Sequence, residues 1–267
     1  MKYRLLLLLL SFSSVTTSAA AENILTSPRA SQRPANTVRE AEIGVIAGIG
    51  SAYLGAQKNM LQAGIYFEVN FGNGVFFGQD GLGYRTQNYD GFSFAASLGA
   101  SRSRTEQAGS ADTPNRLSGM GDVPPKGQAN LFGNYDDGLY HAYAWFQQEL
   151  GDRNGVELQL AGLYDLISSP QDLAQLYAGL DYANQTKMQT FFGITSAQAS
   201  SSGNPVYTPQ AGVAGSGVGA LWRHAFNQNW VGTLDVSAIS LLGSAADSPL
   251  TARQTSCAAF VTAGYRF

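Results

Sequence analysis

Residues 61–71 read LQAGIYFEVNF, a stretch in which apolar and polar side chains alternate almost without exception. One face carries Leu61, Ala63, Ile65, Phe67, Val69 and Phe71, and the other carries Gln62, Gly64, Tyr66, Glu68 and Asn70. Because successive side chains of a β-strand point to opposite faces, such a strand is apolar on one face and polar on the other. A strand with lipid on one side and water on the other has this pattern. The stretch therefore predicts a wall strand of a transmembrane β-barrel.

The same alternation recurs along the rest of the chain. It is clear in residues 140–150, 156–165 and 230–238, and in the closing residues 257–267, where Phe260 is the exception. Weaker segments begin near Ile43, Val75, Phe92, Leu176, Met188 and Val213, and residues 128–134 supply a further candidate. Outer-membrane barrels have an even number of strands, so the segments predict a closed antiparallel barrel of about 12 strands, with about 10 as the alternative. The twelfth strand would come from dividing residues 213–226 or from a different division of the N-terminal region.

Turn signals separate these segments. Short connections rich in Gly or Asn, as tight turns require, are predicted at residues 72–74, 151–155, 184–187 and 227–229. Longer connections are predicted at residues 53–60, 168–173, 197–208 and 243–255, and an irregular one begins near Thr105. Alternation of short turns and long loops is typical of outer-membrane barrels, whose short turns face the periplasm.

The N-terminus predicts export. A basic tip, an apolar run at residues 5–10 and an Ala19-Ala20-Ala21 site are the three parts of a secretory signal peptide. The run is too short to cross ~30 Å of hydrocarbon as an anchor helix. We therefore predict a signal peptide at residues 1–21, a flexible periplasmic tail at residues 22–40, where no periodicity is seen, and the barrel at residues 41–267. The terminal Phe267, on an alternating last strand, is similar to the tail by which outer-membrane barrels are recognised for insertion.

Composition agrees with this class. The chain has 31 glycines, 13 tyrosines and 14 phenylalanines, but only 13% charged residues, whereas a soluble domain has about 25%. The net charge of −3 argues against a nucleic-acid partner, which would require a basic stripe. The single Cys257 excludes a disulfide within the chain and is expected to pack as a small apolar residue.

The inventory of reactive side chains argues against an enzyme. Two histidines, His141 and His224, and one cysteine are too few for a structural zinc site. A Ser/His/Asp set inside the barrel is conceivable, but no acid, base and nucleophile stand out together. His141 lies on the polar face of its strand, where a hydrogen-bonded lumen histidine is the simpler interpretation. We predict no catalytic residues, no cofactor-binding residues and no metal ligands.

Several motifs have a structural and a functional interpretation. Gly48-Ile49-Gly50, Gly81-Leu82-Gly83 and Gly119-Met120-Gly121 resemble a nucleotide-binding loop, but no helical period follows any of them. Asp136-Asp137 could bind calcium in an outer loop, or be a solvated turn. Trp145 and Trp222 could belong to the aromatic belts at the membrane interfaces or simply pack. Trp230, which follows a short turn directly, favours the belt.

The C-terminal third resembles the MipA/OmpV family of outer-membrane proteins. The resemblance is strongest in the runs that begin at Thr190, Tyr207 and Leu242 and in the closing Gly264-Tyr265-Arg266-Phe267, and it extends more weakly back to about Ile43. The first outer loop departs from the family pattern Pro-x-Tyr-x-Gly-Ser, because it reads Ser51-Ala52-Tyr53-Leu54-Gly55-Ala56.

The resemblance implies an outer-membrane location and a non-catalytic role. The family is named for a scaffold that interacts with a lytic transglycosylase and links it to a bifunctional murein synthase. Other members are described as porin-like or adhesin-like. The sequence therefore leaves two hypotheses: a scaffold for murein-remodelling enzymes, or a passive porin-like channel or surface adhesin. Besides outer-membrane lipid, the implied partners are the two murein enzymes.

Overall fold

The computed structural model describes residues 39–267. The predicted signal peptide at residues 1–21, and the predicted tail except for its last two residues, lie outside the described residues. The first strand begins at Glu40, one residue before the predicted start of the barrel.

Twelve antiparallel strands close into one barrel, in which neighbours in sequence are neighbours in the wall. The strands are β1 (Glu40–Ser51), β2 (Asn59–Asn70), β3 (Val75–Gly78), β4 (Gly81–Arg85), β5 (Phe92–Ala100), β6 (Gly127–Asp136), β7 (Tyr140–Glu149), β8 (Val156–Ser168), β9 (Asp172–Ala183), β10 (Gly212–Ala225), β11 (Trp230–Leu241) and β12 (Thr255–Arg266). The barrel closes where β1 pairs with β12, from Glu42↔Arg266 to Ile49↔Ala259. The predicted closed antiparallel barrel of 12 strands is confirmed.

The twelfth strand comes from the N-terminal region. The segment predicted to begin near Val75 forms the two short strands β3 and β4 around a turn at Gln79-Asp80. β10 is a single strand of 14 residues, so the division of residues 213–226 was the wrong one of the two options. β3 pairs with β2 only at Val69↔Phe77 and Asn70↔Phe76, whereas β2 pairs with β1 along its whole length.

The ends of the barrel differ. We call the end where β1 begins and β12 ends the terminal end, and the opposite end the loop end. The terminal end carries the short connections 71–74, 86–91, 137–139, 169–171 and 226–229, and the loop end carries 52–58, 101–126, 150–155, 184–211 and 242–254. The prediction of a longer connection at residues 168–173 was therefore wrong, because it is a short turn. The short connection 151–155 lies at the loop end.

Helices occur only in connections of the described part. They are α1 (Gln185–Phe192), α2 (Ser196–Ser202) and α3 (Gly243–Ala246), with a 3-10 helix at Glu106–Ala111. The Asn184 side chain caps α1 by accepting a hydrogen bond from the Lys187 N–H. The predicted tight turn at 184–187 and the predicted strand near Met188 were therefore wrong. None of the helices in residues 39–267 has the length and apolar character needed to span a bilayer.

The two faces of the wall are as predicted. On β2, Leu61 is 75% and Ile65 is 67% exposed on the outer face, while Gln62 is buried on the inner face. Aromatic side chains pack in neighbouring pairs on the outer face near the terminal end, with ring centroids 4.8–5.1 Å apart: Phe67–Phe77, Phe92–Tyr135, Tyr140–Tyr164 and Trp230–Tyr265. Trp230 belongs to this aromatic belt, as predicted, and Trp222 is exposed on the same face. Trp145 instead faces inward.

Candidate functional site

The middle of the lumen is filled by side chains. Trp145 stacks on Phe132 with ring centroids 5.6 Å apart, and its Nε1 donates to the Asn130 Oδ1 at 3.3 Å. The Tyr177 hydroxyl donates to Asp235 at 2.9 Å. Buried apolar residues of eight strands form one cluster: Phe76, Ala95, Phe132, Tyr143, Trp145, Ala161, Tyr177, Leu221 and Ile239. Leu54, from the connection 52–58, packs against this cluster from the loop end.

A group of buried charges lies above this layer, toward the loop end. Lys187 Nζ on α1 is 3.0 Å from Glu149 Oε1 and 3.4 Å from Glu157 Oε2. Arg102 pairs with Glu157, and Arg153 Nε lies 3.4 Å from Glu149 Oε2. We call these five residues the charge cluster. Beside it is a cavity of only about 30 Å³, which Asp181 also lines. The cluster ties α1 and the start of the connection 101–126 to strands β7 and β8.

The connections 52–58, 101–126, 184–211 and 242–254 fold together over the loop end, and we call this unit the cap. It has its own buried core of Ala52, Tyr53, Ala56, Leu117, Met120, Ile194 and Leu250. Cross-ties join its parts: Gln198 Nε2 donates to the Met120 carbonyl at 2.8 Å, and Ser248 Oγ donates to the Phe192 carbonyl at 2.6 Å. The cap is therefore a packed body rather than a set of independent loops.

Asp112 holds two parts of the cap together. Its carboxylate accepts hydrogen bonds from the Tyr53 hydroxyl at 3.1 Å, the Gln57 N–H at 2.8 Å and the Lys58 N–H at 2.9 Å. Burial of the Tyr53 phenol, and next the negative charge of Asp112, raise the pKa of Tyr53 well above its ordinary value. The phenol therefore stays protonated and continues to donate throughout the physiological range.

Asp112→Asn is expected to loosen the cap without opening the barrel. An amide presents one acceptor oxygen in place of two, so a buried donor loses its charged partner and stability falls by about 2 kcal/mol. Limited trypsin digestion in detergent should cut faster after Arg116, which lies in the same connection. Asp122→Asn is the matched control, because Asp122 accepts only an exposed bond from the Glu106 N–H. Equal digestion rates for the two variants would contradict this role of Asp112.

The terminal end of the lumen is braced across the closing seam. Glu42 on β1 accepts from the Arg223 guanidinium at 2.9 Å, from Arg266 Nε at 3.1 Å and from the Tyr66 hydroxyl at 2.8 Å. These contacts join β1, β2, β10 and β12. Because the partners come from both sides of the seam, the brace favours a closed barrel.

The two histidines lie apart, on opposite faces of the wall. His141 faces the lumen, with Nε2 3.1 Å from Asp165 and Nδ1 3.4 Å from Asp136. His224 faces outward beside the aromatic belt, and its Nδ1 is 2.8 Å from Asp172. Both histidines therefore contact carboxylates, which fits the simpler structural interpretation. Within residues 39–267, no group of three or more His, Cys, Asp or Glu side chains is placed to hold a metal ion.

The remaining motifs have structural roles. Gly48–Gly50 lies in β1 and Gly81–Gly83 in β4. The Gly119 and Gly121 N–H groups both donate to the Glu106 carboxylate at 2.9 Å, so this loop binds an anion of its own chain. Asp136-Asp137 lies at the terminal end, where β6 meets the short connection 137–139. There the Asp136 carboxylate accepts from the Gly138 N–H at 2.9 Å.

Sequence reasoning missed the charge cluster and Asp112. Lys187 was assigned to a turn, and Asp112 lies in a connection without periodicity. A buried charge in such a segment gives no signal of its own, since its partners are far away in sequence. A hint was present in the helical spacing of Met188, Phe191 and Phe192, which are buried together on one side of α1.

A family model described as "MltA-interacting protein MipA" matches residues 43–267, which is nearly all of the described barrel. The chain belongs to the MipA family. The match confirms the resemblance seen in the C-terminal motifs. No curated protein matches the chain.

Solved structures with similar chain traces are known at low identity. A bacterial polysaccharide outer membrane secretin has a TM-score of 0.48 and 10% identity, with 87% of this chain and 99% of that chain covered. LpxR from Salmonella typhimurium has a TM-score of 0.40 and 9% identity, over 85% and 99%. Neisserial surface protein A has a TM-score of 0.28 and 9% identity, over 85% and 95%.

Proposed function

We propose that this protein is a non-catalytic scaffold in the outer membrane that binds a lytic transglycosylase and, through it, a bifunctional murein synthase. The family is described as interacting with MltA, a lytic transglycosylase. In this proposal the terminal end faces the periplasm, as the chain ends of outer-membrane barrels do. The tail predicted at residues 22–40 would then extend toward the murein layer.

The packed lumen is the observation that favours a scaffold over a pore. Trp145, Tyr177 and Phe132 are all less than 10% exposed inside the barrel, and the cap covers the loop end. A wall packed on the inside like a protein core argues against a wide water-filled path through the lumen that residues 39–267 enclose. We expect liposomes that contain the protein to show no solute flux above that of empty liposomes. Flux that scales with the amount of protein would favour the passive channel instead.

The terminal end offers exposed side chains for a partner. Tyr89, in the connection 86–91, is 80% exposed, and Leu139, in the connection 137–139, is 51% exposed. The two connections lie close together, since Gly91 at the end of the first accepts from the N–H of Asp136, the β6 residue that precedes the second, at 2.8 Å. Exposed aromatic residues on short, hydrogen-bonded turns lose little entropy on binding, and such residues are often anchors of protein interfaces.

The scaffold is tested by binding in a bilayer. We expect the protein in nanodiscs to retain a purified lytic transglycosylase with a Kd of about 10 µM or tighter. Tyr89→Ala with Leu139→Ser should weaken binding about tenfold, corresponding to ~1.4 kcal/mol. Ser196→Ala with Ser200→Ala, on α2 in the cap, is the matched control and should leave binding unchanged. If the unmodified protein fails to retain the enzyme when both are present at about 10 µM, the proposal is wrong.

A second candidate, contact with other cells through the loop end, is favoured by the cap. A packed cap with its own core presents a fixed surface, as an adhesin requires. Loss of host-cell attachment on deletion of the protein, without loss of transglycosylase binding by the purified protein, would favour this role over the scaffold.

A further inference from the structure

One side of β2 is left without a neighbouring strand. β2 pairs with β1 at every residue from Asn59 to Asn70, but β3 pairs with it only at Val69 and Asn70. The hairpin of β3 and β4 turns back at Gln79-Asp80, well short of the loop end. Among residues 39–267, no strand pairs with that side of β2 between Asn59 and Glu68.

The alternation of the ladder shows which main-chain groups face this gap. The Phe71 N–H donates to the Val75 carbonyl at 3.0 Å, so the main-chain groups of Phe71 point toward β3. Residues two apart on a strand point their N–H and C=O groups to the same side. The groups of Leu61, Ala63, Ile65 and Phe67 therefore point into the gap, and we call this row the docking edge.

The docking edge is costly if it stays bare in a membrane. The side chains of Leu61 and Ile65 on this edge are apolar and exposed on the outer face, which places the edge at the depth of hydrocarbon. A main-chain N–H or C=O without a partner costs several kcal/mol there, and lipid tails offer no donor or acceptor. An unpaired edge of this kind is a template for another strand.

A second copy of this chain does not fit the edge. Two copies in one membrane stand the same way up, so a two-fold axis between them must lie along the membrane normal. Barrel strands tilt by about 35–45° from that normal. Two β2 strands facing each other across the axis would therefore cross at roughly 70–90° instead of lying side by side, and a ladder of hydrogen bonds could not form.

We propose that the docking edge accepts an extended segment of a partner protein as an additional wall strand. The segment runs antiparallel to β2 and continues the register that β3 begins at Val69↔Phe77. About eight residues, at ~3.4 Å each, match the length of the edge. Alternate side chains of the segment would be apolar, to face lipid beside Leu61 and Ile65, and the others small or polar, to lie beside Gln62 and Gly64. This inference does not depend on the murein scaffold.

A peptide probe tests the docking edge. The probe is a ten-residue peptide of alternating leucine and threonine with one cysteine, added to Ala63→Cys protein in nanodiscs on a Cys257→Ser background. With copper–phenanthroline added as the oxidant, we expect a disulfide when the peptide cysteine occupies the leucine position that pairs with residue 63, and at least a tenfold lower yield when it occupies the adjacent threonine position. N-methylation of the peptide amides that face β2 should abolish the reaction, whereas N-methylation of the opposite amides should not.

Other results would overturn the proposal. Equal yields at both peptide positions mean contact without register. No yield at any position means that the edge is covered by the chain itself or by lipid. A disulfide between two protein molecules without peptide would assign the edge to a second copy.

Two proline variants give an independent test of the edge. Proline removes a backbone N–H. In Ala63→Pro the missing N–H faces the gap, so we expect the denaturation midpoint to stay close to that of the parent, while peptide cross-linking through Leu61→Cys falls at least tenfold. In Gly64→Pro the missing N–H belongs to the ladder with β1 at Ile46↔Gly64, so the midpoint should fall clearly. Equal falls in the two variants would show that the Ala63 N–H is already bonded in the free protein.

Discussion

Replacing Lys187 by methionine is expected to lower the free energy of unfolding by about 3 kcal/mol, because the buried carboxylates of Glu149 and Glu157 each keep an arginine but lose the lysine between them. Lys187 is the cation placed between Glu149 and Glu157, and its side chain is 6% exposed. Without its charge, two carboxylates repel each other in a site with little water. The measurement is the midpoint of unfolding by guanidinium chloride for the protein in lipid vesicles. Folded and unfolded protein are distinguished by their different mobilities on gels.

Two comparisons isolate the buried charge. Lys126→Met removes the exposed pair with Asp152, whose side chain is 76% exposed, and should lower the midpoint much less than Lys187→Met, because solvent screens an exposed pair. Lys187→Met combined with Glu149→Gln should recover part of the loss, because one of the two carboxylates that shared the lysine becomes neutral. If Lys187→Met is as mild as Lys126→Met, the charge cluster does not hold α1 in place.

Trp145→Ala is the second large effect, with an expected loss of about 3–5 kcal/mol. The indole stacks on Phe132 and donates to Asn130 inside the lumen. Its removal leaves a cavity in the packed layer and an amide oxygen without its indole donor. The same denaturation assay measures the loss, and conductance measurements on the variant should still show a closed lumen, since Tyr177, Leu221 and the cap remain.

Trp222→Ala is the matched control for this variant. Trp222 lies on the outer face, half exposed, and donates to Asp172. Its loss removes an exposed hydrogen bond and a ring contact with His224 but leaves no cavity in the packed layer, so we expect a clearly smaller cost than that of Trp145→Ala. A cost as large as that of Trp145→Ala would mean that the aromatic belt on the outer face, rather than the packed lumen, dominates the stability of the barrel.

The wall could be predicted from sequence because the direction of a strand side chain depends only on its position in the alternation. The outward Leu61 and Ile65 and the inward Gln62 and Asp235 follow from this rule alone. The assignment of Met188 failed because a short apolar run does not distinguish a strand from a buried helix. The Asn184 side chain, which was interpreted as a turn signal, caps that helix instead, and the same residue type serves both purposes.

The interior depended on partners that no local pattern indicates. Lys187 and Glu149 are 38 positions apart, and Asp112 accepts from Tyr53 across 59 positions. The bare side of β2 was also hidden, since residues 75–85 look like one ordinary strand. Only the observed turn at Gln79-Asp80 shows that the segment folds back before it covers its neighbour.

The cap joins segments that are far apart in the chain, and this affects the order in which the barrel assembles. The Tyr53 hydroxyl oxygen, which donates to Asp112, also lies 3.3 Å from the Leu250 carbonyl oxygen across 197 positions of the chain, and both residues belong to the cap core. Contacts between such distant segments form late, because the whole intervening chain must be arranged first. The loop end of the barrel would thus remain hydrated until β11, β12 and the connection between them are in place. Expulsion of that water would be the last step of folding.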